Sequence, residues 1–367
     1  MRTISVVAGL ALIAPTAIGG VSGPASVAWL NSEADTIVVA RVLTASTLPD
    51  GGVSAQLDTL RILKGTSVPP VLQVELKPSP ILKMNAGSAR NLPNGNTGLW
   101  FLRTGTGGKF DILPTDAGDY IWGDACYLAV PDAGPGGAAG SIGERVLTEI
   151  IGGYRSVAAD QHPGQEWKFH SAIISSAPED VRRALGRLYL DSNLPLRMRV
   201  VALAGEISHS FPDAILRLDR DFELLSKDER FGLILWDISY MYKCGDPATV
   251  APLIQLLSRR RSFPRLEEAT AGALARTGNK HALRGLALLL DSSDRQTQFR
   301  ASRAFWQFAE FANEEGEISV GTERPWRSDE ARQLKPEWKS FLQAPDRYVG
   351  FWKKWWAENR GRLGYAE

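Results

Sequence analysis

Two apolar rhythms divide the chain. From Ala34 to about Pro131 apolar and polar residues alternate, a period of two that predicts strands. Residues 35–43 read as a buried strand, with Ile37, Val38 and Val39 β-branched in succession. Residues 53–63 alternate through Val53, Ala55, Leu57, Leu60 and Ile62, and residues 71–76, 98–103 and 109–113 follow the same rule. Turn chemistry separates them. Pro49-Asp-Gly-Gly is one turn, and Thr104-Gly-Thr-Gly-Gly supplies glycines for the positive φ of a tight hairpin. Short strands joined this way predict a small closed barrel or a sandwich.

After the small-residue stretch 134–140, which reads as a linker, the spacing changes to three and four. Val146, Leu147, Ile150, Ile151 and Tyr154 make one stripe, so residues 141–156 are expected to form a connecting helix before a polar loop at 160–166. Ser176-Ala-Pro-Glu179 has the S-x-x-E spacing of a capping box with Pro in the first turn, and predicts the next helix start. Helices are expected at 196–207, 214–225 and 231–242, with Pro212 and Gly245-Asp246-Pro247 as breaks. Asp246 is placed to cap the helix that Pro247 opens.

Residues 246–309 then repeat. Val250, Leu253, Leu256 and Leu257 align with Leu283, Leu286, Leu289 and Leu290 at an offset of 33, and Ala273-Leu274 aligns with Ala304-Phe305 at 31. Gly245 and Gly278 fall where left-handed C-caps belong. Helix pairs of this kind bury their stripes only by stacking on neighbours, which predicts a short α-solenoid. The pattern resembles bacterial HEAT repeats, carried by Gly245 to Leu257 and by Glu268-Ala-Thr-Ala-Gly-Ala-Leu-Ala-Arg-Thr-Gly278. The β region, through Ala34-Asp-Thr-Ile-Val-Val-Ala-Arg-Val, Arg61-Ile-Leu-Lys-Gly65 and Gly98-Leu-Trp-Phe-Leu102, resembles the netrin and tissue-inhibitor-of-metalloproteinase module, which implies an OB-type barrel. Inhibitory members of that family act through a cysteine at the mature N-terminus. This chain has none there, so inhibition is not implied.

The expected architecture is multidomain α+β. Residues 1–23 read as a signal peptide, 24–132 as a β-barrel, 133–175 as a Gly-rich linker and connecting helix, 176–312 as a HEAT-like α-solenoid, and 313–367 as a loop and Trp-rich helical cap. Arg2 followed by the apolar stretch 4–14 and small residues fits a secretory signal, with cleavage after Ala17, Gly20, Gly23 or Ala28. The run is too short to span a bilayer, so an exported chain, periplasmic or extracellular, with no transmembrane segment after cleavage is expected. Export permits disulfides. Cys126 and Cys244 are either a bond joining two domains or two buried thiols.

Composition narrows the function. A net charge of +1 argues against a nucleic-acid partner. Gly105 to Lys109 lacks the remaining P-loop positions and reads as a hairpin. His162, His170, His209 and His281 have no accompanying nucleophile motif, and no Cys/His spacing suggests metal, so no catalytic residue, cofactor or metal site is expected. Two clusters remain. Arg259, Arg260 and Arg261, with Arg265, form a candidate partner-binding edge against a plain reading as a charged helix end. Trp352, Trp355 and Trp356, among the 5 of 11 Trp after residue 325, form either an aromatic platform for a glycan or a cap. The expectation is a non-enzymatic binding or scaffolding protein whose solenoid surface holds another protein. The alternatives are a hydrolase or modifying enzyme with an interdomain site, and glycan or cell-wall binding by the Trp-rich end.

Overall fold

The computed structural model describes residues 26–50, 52–76, 94–113, 128–132, 140–157, 163–239, 241, 246–260, 263–318 and 325–365. Strands β1 (Thr36–Thr47), β2 (Val53–Lys64), β3 (Val71–Leu76), β4 (Thr97–Thr104) and β5 (Phe110–Ile112) run in the order β1-β2-β3-β5-β4, and β4 pairs back onto β1. This closes a five-stranded barrel with the connectivity of an OB-type fold. The β3–β5 pair is parallel and the others are antiparallel. A short β6 (Leu128–Ala129), which the alternation did not predict, extends β4.

The start of strand β1, Ile37 to Ala40, reads as an unbroken apolar run because both of its faces are covered. Val38, Ala40 and Val42 point into the barrel with Leu57, Leu72, Val74, Trp100 and Leu102, while Ile37 and Val39 join Leu99 and Phe101 in a second core outside it. The Trp100 indole donates to the Ala40 carbonyl at 3.1 Å, so its polar edge is satisfied inside the barrel. Register shifts along β1–β2 bend the pair around the barrel. They also slip the alternation: Ile62, expected inside, is exposed, and Leu63 is buried instead.

The outer core is roofed by helices. Helix α1 (Val27–Glu33) precedes β1, and its Ser26 cap accepts from the Trp29 amide. Lys64 Nζ donates to the carbonyls of Asn31 and Ser32 at the end of α1, at 2.8 and 3.3 Å. Gly65 follows at φ +108°, where a Cβ would lie 3.0 Å from Thr36 Oγ1 and 3.3 Å from the Asp35 carbonyl. The Lys-Gly pair therefore ends β2 and fastens α1 at once.

Next come α2 (Ile142–Val157), α3 (Pro163–Ile174), α4 (Pro178–Leu190), α5 (Leu196–Ser208), α6 (Pro212–Leu225) and α7 (Phe231–Ser239). They continue as α8 (Pro247–Arg259), α9 (Pro264–Thr277), α10 (Leu283–Leu289) and α11 (Arg295–Phe311). Their packing forms two rows. Helices α3, α5, α7, α9 and α11 follow one another in one row, and α2–α4 and α6–α8–α10 neighbour each other in the other. The region is thus a helical-repeat-like array, and it already begins with α2 and α3, inside the stretch expected to be a linker and connecting helix. All eight aligned positions from Val250 to Leu257 and Leu283 to Leu290 are buried. Gly278 has φ +63° as the C-cap of α9, and Asp246 accepts from the Ala248 amide at 2.9 Å. Helices α12 (Asp329–Gln333), α13 (Trp338–Gln343) and α14 (Pro345–Asn359) close the far end, with α14 against α11.

Two helix starts differ from expectation. Ser176 does not cap α4: its hydroxyl donates to the Ala172 carbonyl in α3, and Ala177 is the N-cap ahead of Pro178. The capping box lies instead at Ser141–Glu144, where the Ser141 side chain accepts from the Glu144 amide and Glu144 accepts from the Ser141 amide. The loop expected at 160–166 gives way to α3 from Pro163.

Candidate functional site

The helical array buries charge near the barrel. Arg61 of β2 forks onto Glu149 of α2 at 2.9 and 2.7 Å, and it also donates to the carbonyls of Pro131 and Asp132. Asp132 in turn accepts from Arg41 and Thr97, and the Thr97 hydroxyl is the main reason its carboxyl is held below the usual range. On the array side, the amides of Val27 and Ala28 donate to the side chain and carbonyl of Ser175. The barrel and α2–α3 are joined by these bonds over a shared apolar core.

Further along, Glu206 of α5 is fully buried and accepts from Arg217 of α6 at 2.6 Å. Burial raises its pKa to about 7, against the pull of Arg217. Its second oxygen has no donor among the described residues. Beside it, Tyr189 donates to Asp221, and burial followed by that bond pushes the phenol up to about 12. Arg220, the largest influence on Asp221, holds that carboxyl low. His170 of α3 and Asp237 of α7 meet at 2.9 Å, both shut off from solvent, and burial raises Asp237. A histidine–carboxylate pair of this kind has the chemistry of a base but no face for a substrate, so it acts as a polar tie between α3 and α7. His209 is buried and stacked on Phe211, His281 lies in the turn before α10, and His162 is outside the described residues.

The arginine run is scattered by the fold. Arg259 is paired with Asp219, and Arg260 with Glu223 at 2.6 Å, so both tie the end of α8 back to α6. Arg265 is exposed at the start of α9, and Arg261 lies outside the described residues. Cys126 and Cys244 lie outside them as well, as do residues 1–23. Trp352 and Trp355 are buried: Trp352 stacks on Phe305, and Trp355 meets Phe305 and Phe308 edge-on. Trp356 packs on Phe305 and Tyr365. Trp352 and Trp355 thus leave no face on which a sugar could stack.

A different set of residues forms an open groove of about 560 Å³ between α9 and α11. Gly272, Ala275 and Arg276 line one wall, Gln296, Phe299, Arg300, Arg303, Ala304 and Gln307 the other, with Trp338 of α13 at its edge. The small residues Ala275 and Ala304 keep the walls low. Trp338 is 43 % exposed and meets Phe299 edge-on at 5.0 Å. Arg300 reaches across to Glu268 of α9, donating to its carbonyl at 3.3 Å and lying 3.4 Å from its carboxylate. Arg303 is exposed with no acidic partner among the described residues. Sequence reasoning missed this groove because its parts lie on three segments. The local signal was the i, i+3 pair Arg300 and Arg303 next to Phe299.

Among the described residues no helix is long and apolar enough to cross a membrane, and no cluster of His, Cys, Asp and Glu could hold a metal ion. No family model matches this chain, and comparison with curated proteins and with solved structures gave no match.

Proposed function

We propose that this chain is an exported, non-enzymatic binding or scaffolding protein that holds a partner protein on the α9–α11 face of its array. The observation that carries this reading is the groove itself. It gathers three arginines and a half-exposed tryptophan on one surface. Arginine and aromatic side chains, unlike other charged groups, are enriched in interface cores. We further read the two-row array as an α-solenoid of HEAT-like pairs, supported by the buried 33-residue repeat, and the barrel as netrin-like, supported by its strand order and by Lys64–Gly65. Export rests on the sequence of residues 1–23. Cleavage after Ala17, Gly20 or Gly23 would leave the Ser26 cap and buried Val27 intact, whereas cleavage after Ala28 would remove both.

The test is site-specific photo-crosslinking in the native cell. A photoreactive residue at Gln307 in the groove is compared with one at Leu190 or Leu216, exposed positions on the other row. A partner identified from the Gln307 adduct, and rebuilt from purified components, supports the reading. Adducts of equal yield from Leu190 and Leu216, or turnover of a partner by the purified chain, would overturn it.

A further inference from the structure

We infer that the α9–α11 groove takes an acidic peptide segment carrying a bulky apolar side chain, an inference that rests on the protein-binding reading above. The charge of the lining is one-sided. Arg276, Arg300 and Arg303 line the groove with two glutamines, and none of its lining residues is acidic. A guanidinium presents a planar fork of N–H donors matched to a carboxylate, and the pairing is strongest where apolar surroundings exclude water. Those surroundings are supplied by Phe299, Ala275, Ala304 and Trp338. The contact is already illustrated within the chain, since the Glu268 carboxylate lies 3.4 Å from Arg300 at the groove's rim. A ligand carboxylate that displaced it would bridge Arg300 and Arg303, which stand one helical turn apart.

Size and shape point to a segment of chain. A groove of about 560 Å³ admits a few side chains, and the low walls at Ala275 and Ala304 let an extended backbone lie close to both helices. Trp338, edge-on to Phe299, provides an apolar flank for one large side chain beside the arginines. Arg300 and Arg303, flanked by glutamine and apolar surface, suit one or two carboxylates beside an apolar anchor. A nucleic-acid backbone would need a longer cationic track to neutralise its phosphates.

The experiment is fluorescence anisotropy with the full chain and a labelled ten-residue Asp/Glu peptide containing one central Leu. Comparison ligands are the same peptide with Lys in place of the acids, the same peptide with Gly in place of Leu, and a single-stranded oligonucleotide. The acidic Leu peptide is expected to bind and to weaken with added salt. The double variant Arg300→Gln/Arg303→Gln should lose about tenfold or more in affinity, as removal of central interface arginines does. Arg347→Gln, an exposed arginine on α14, should leave affinity unchanged. Because Trp338 packs on Phe341 as well, its contribution is read by crosslinking the peptide to a photoreactive residue at Gln307 rather than by its removal. Equal affinity of the double variant, equal binding of the Lys peptide, or tighter binding of the oligonucleotide would overturn the inference. A cellular partner crosslinked at Gln307 through a segment lacking acids would overturn the peptide chemistry alone and leave the protein-binding face standing.

Discussion

The half of the helical array near the barrel and the half near the C-terminus are held together by different chemistry. From the barrel as far as α8, acids are buried: Glu144, Glu149, Glu206, Asp219 and Asp237, matched by Arg187, Arg61, Arg217, Arg259 and His170. Toward the C-terminus, Glu267 is the one buried acid among the described residues, held by the Ser292 hydroxyl, and ring contacts take over. Phe299, Phe305, Phe308, Trp338, Phe341, Trp352 and Trp355 meet at centroid distances of 5.0 to 6.3 Å. Buried ion pairs fix orientation at a desolvation cost, so they suit a joint where a barrel must meet helices at one angle. Aromatic packing contributes through area and is indifferent to pH, so it suits an end that only has to be covered. The contrast predicts which substitutions depend on pH and which do not.

The largest effect is expected at the aromatic end. Trp352 is fully buried, and its indole N–H has no acceptor among the described residues, so its contribution is packing. Trp352→Ala should cost about 3–5 kcal/mol, the range for removing a large buried aromatic. Urea unfolding at pH 5 and pH 8 should give the same loss, with faster amide exchange concentrated in α11 and α14. A loss that changed with pH would break the contrast, because it would tie the cap to a titrating group.

At the barrel joint the effect should be smaller and non-additive. Arg61→Ala leaves Glu149, 4 % exposed, without its fork, and about 3 kcal/mol is expected for a charge stranded in that way. Removing both partners in Arg61→Ala/Glu149→Ala should restore part of that loss, since no unpaired acid remains. A double variant as unstable as the sum of the singles would mean that the two side chains act independently and that packing alone holds the joint.

Much of this layout was legible in the chain, for identifiable reasons. Strands with turns at Pro49 and Gly105, the Asp246 cap and the Gly278 terminator depend on neighbours within a few residues. The repeated leucines depend only on helical period. Failures came where distant contacts decide. Ile62 was misplaced because bulges in β1–β2, set by barrel closure, shift the alternation. Ser176 matched a capping motif, yet its hydroxyl found the Ala172 carbonyl of the preceding helix. Arg259 and Arg260 looked like a free cationic edge because their partners, Asp219 and Glu223, lie about forty residues earlier on α6. The groove had the opposite fault: Arg276, Arg303 and Trp338 look unremarkable singly, and only the stacking of α9 on α11 and α13 brings them together.

The finest test of the contrast is a slope rather than a single loss. Glu206, between the two ends on α5, has a carboxyl raised by burial from 4.5 to about 7, with Asp213 adding to the rise and Arg217 and Arg182 opposing it. Between those two values the folded chain keeps this proton while the unfolded chain releases it. Stability from this group is therefore full below pH 4.5 and is lost as pH rises toward 7. From pH 5 to 6.5 the loss should be about 2 kcal/mol, set by one proton at about 1.4 kcal/mol per pH unit. The acids held low, Asp35, Asp132, Asp221 and Asp294, titrate below this window and do not mask it. Asp237, also raised, adds a loss of the same sign, so the measurement is a difference. Glu206→Gln cannot ionise, keeps an oxygen for Arg217, and should flatten the profile by that amount while leaving the Asp237 contribution. Parallel profiles for the two chains would show that Arg217 keeps Glu206 charged throughout, and the barrel-side half would then be as indifferent to pH at this position as the aromatic end.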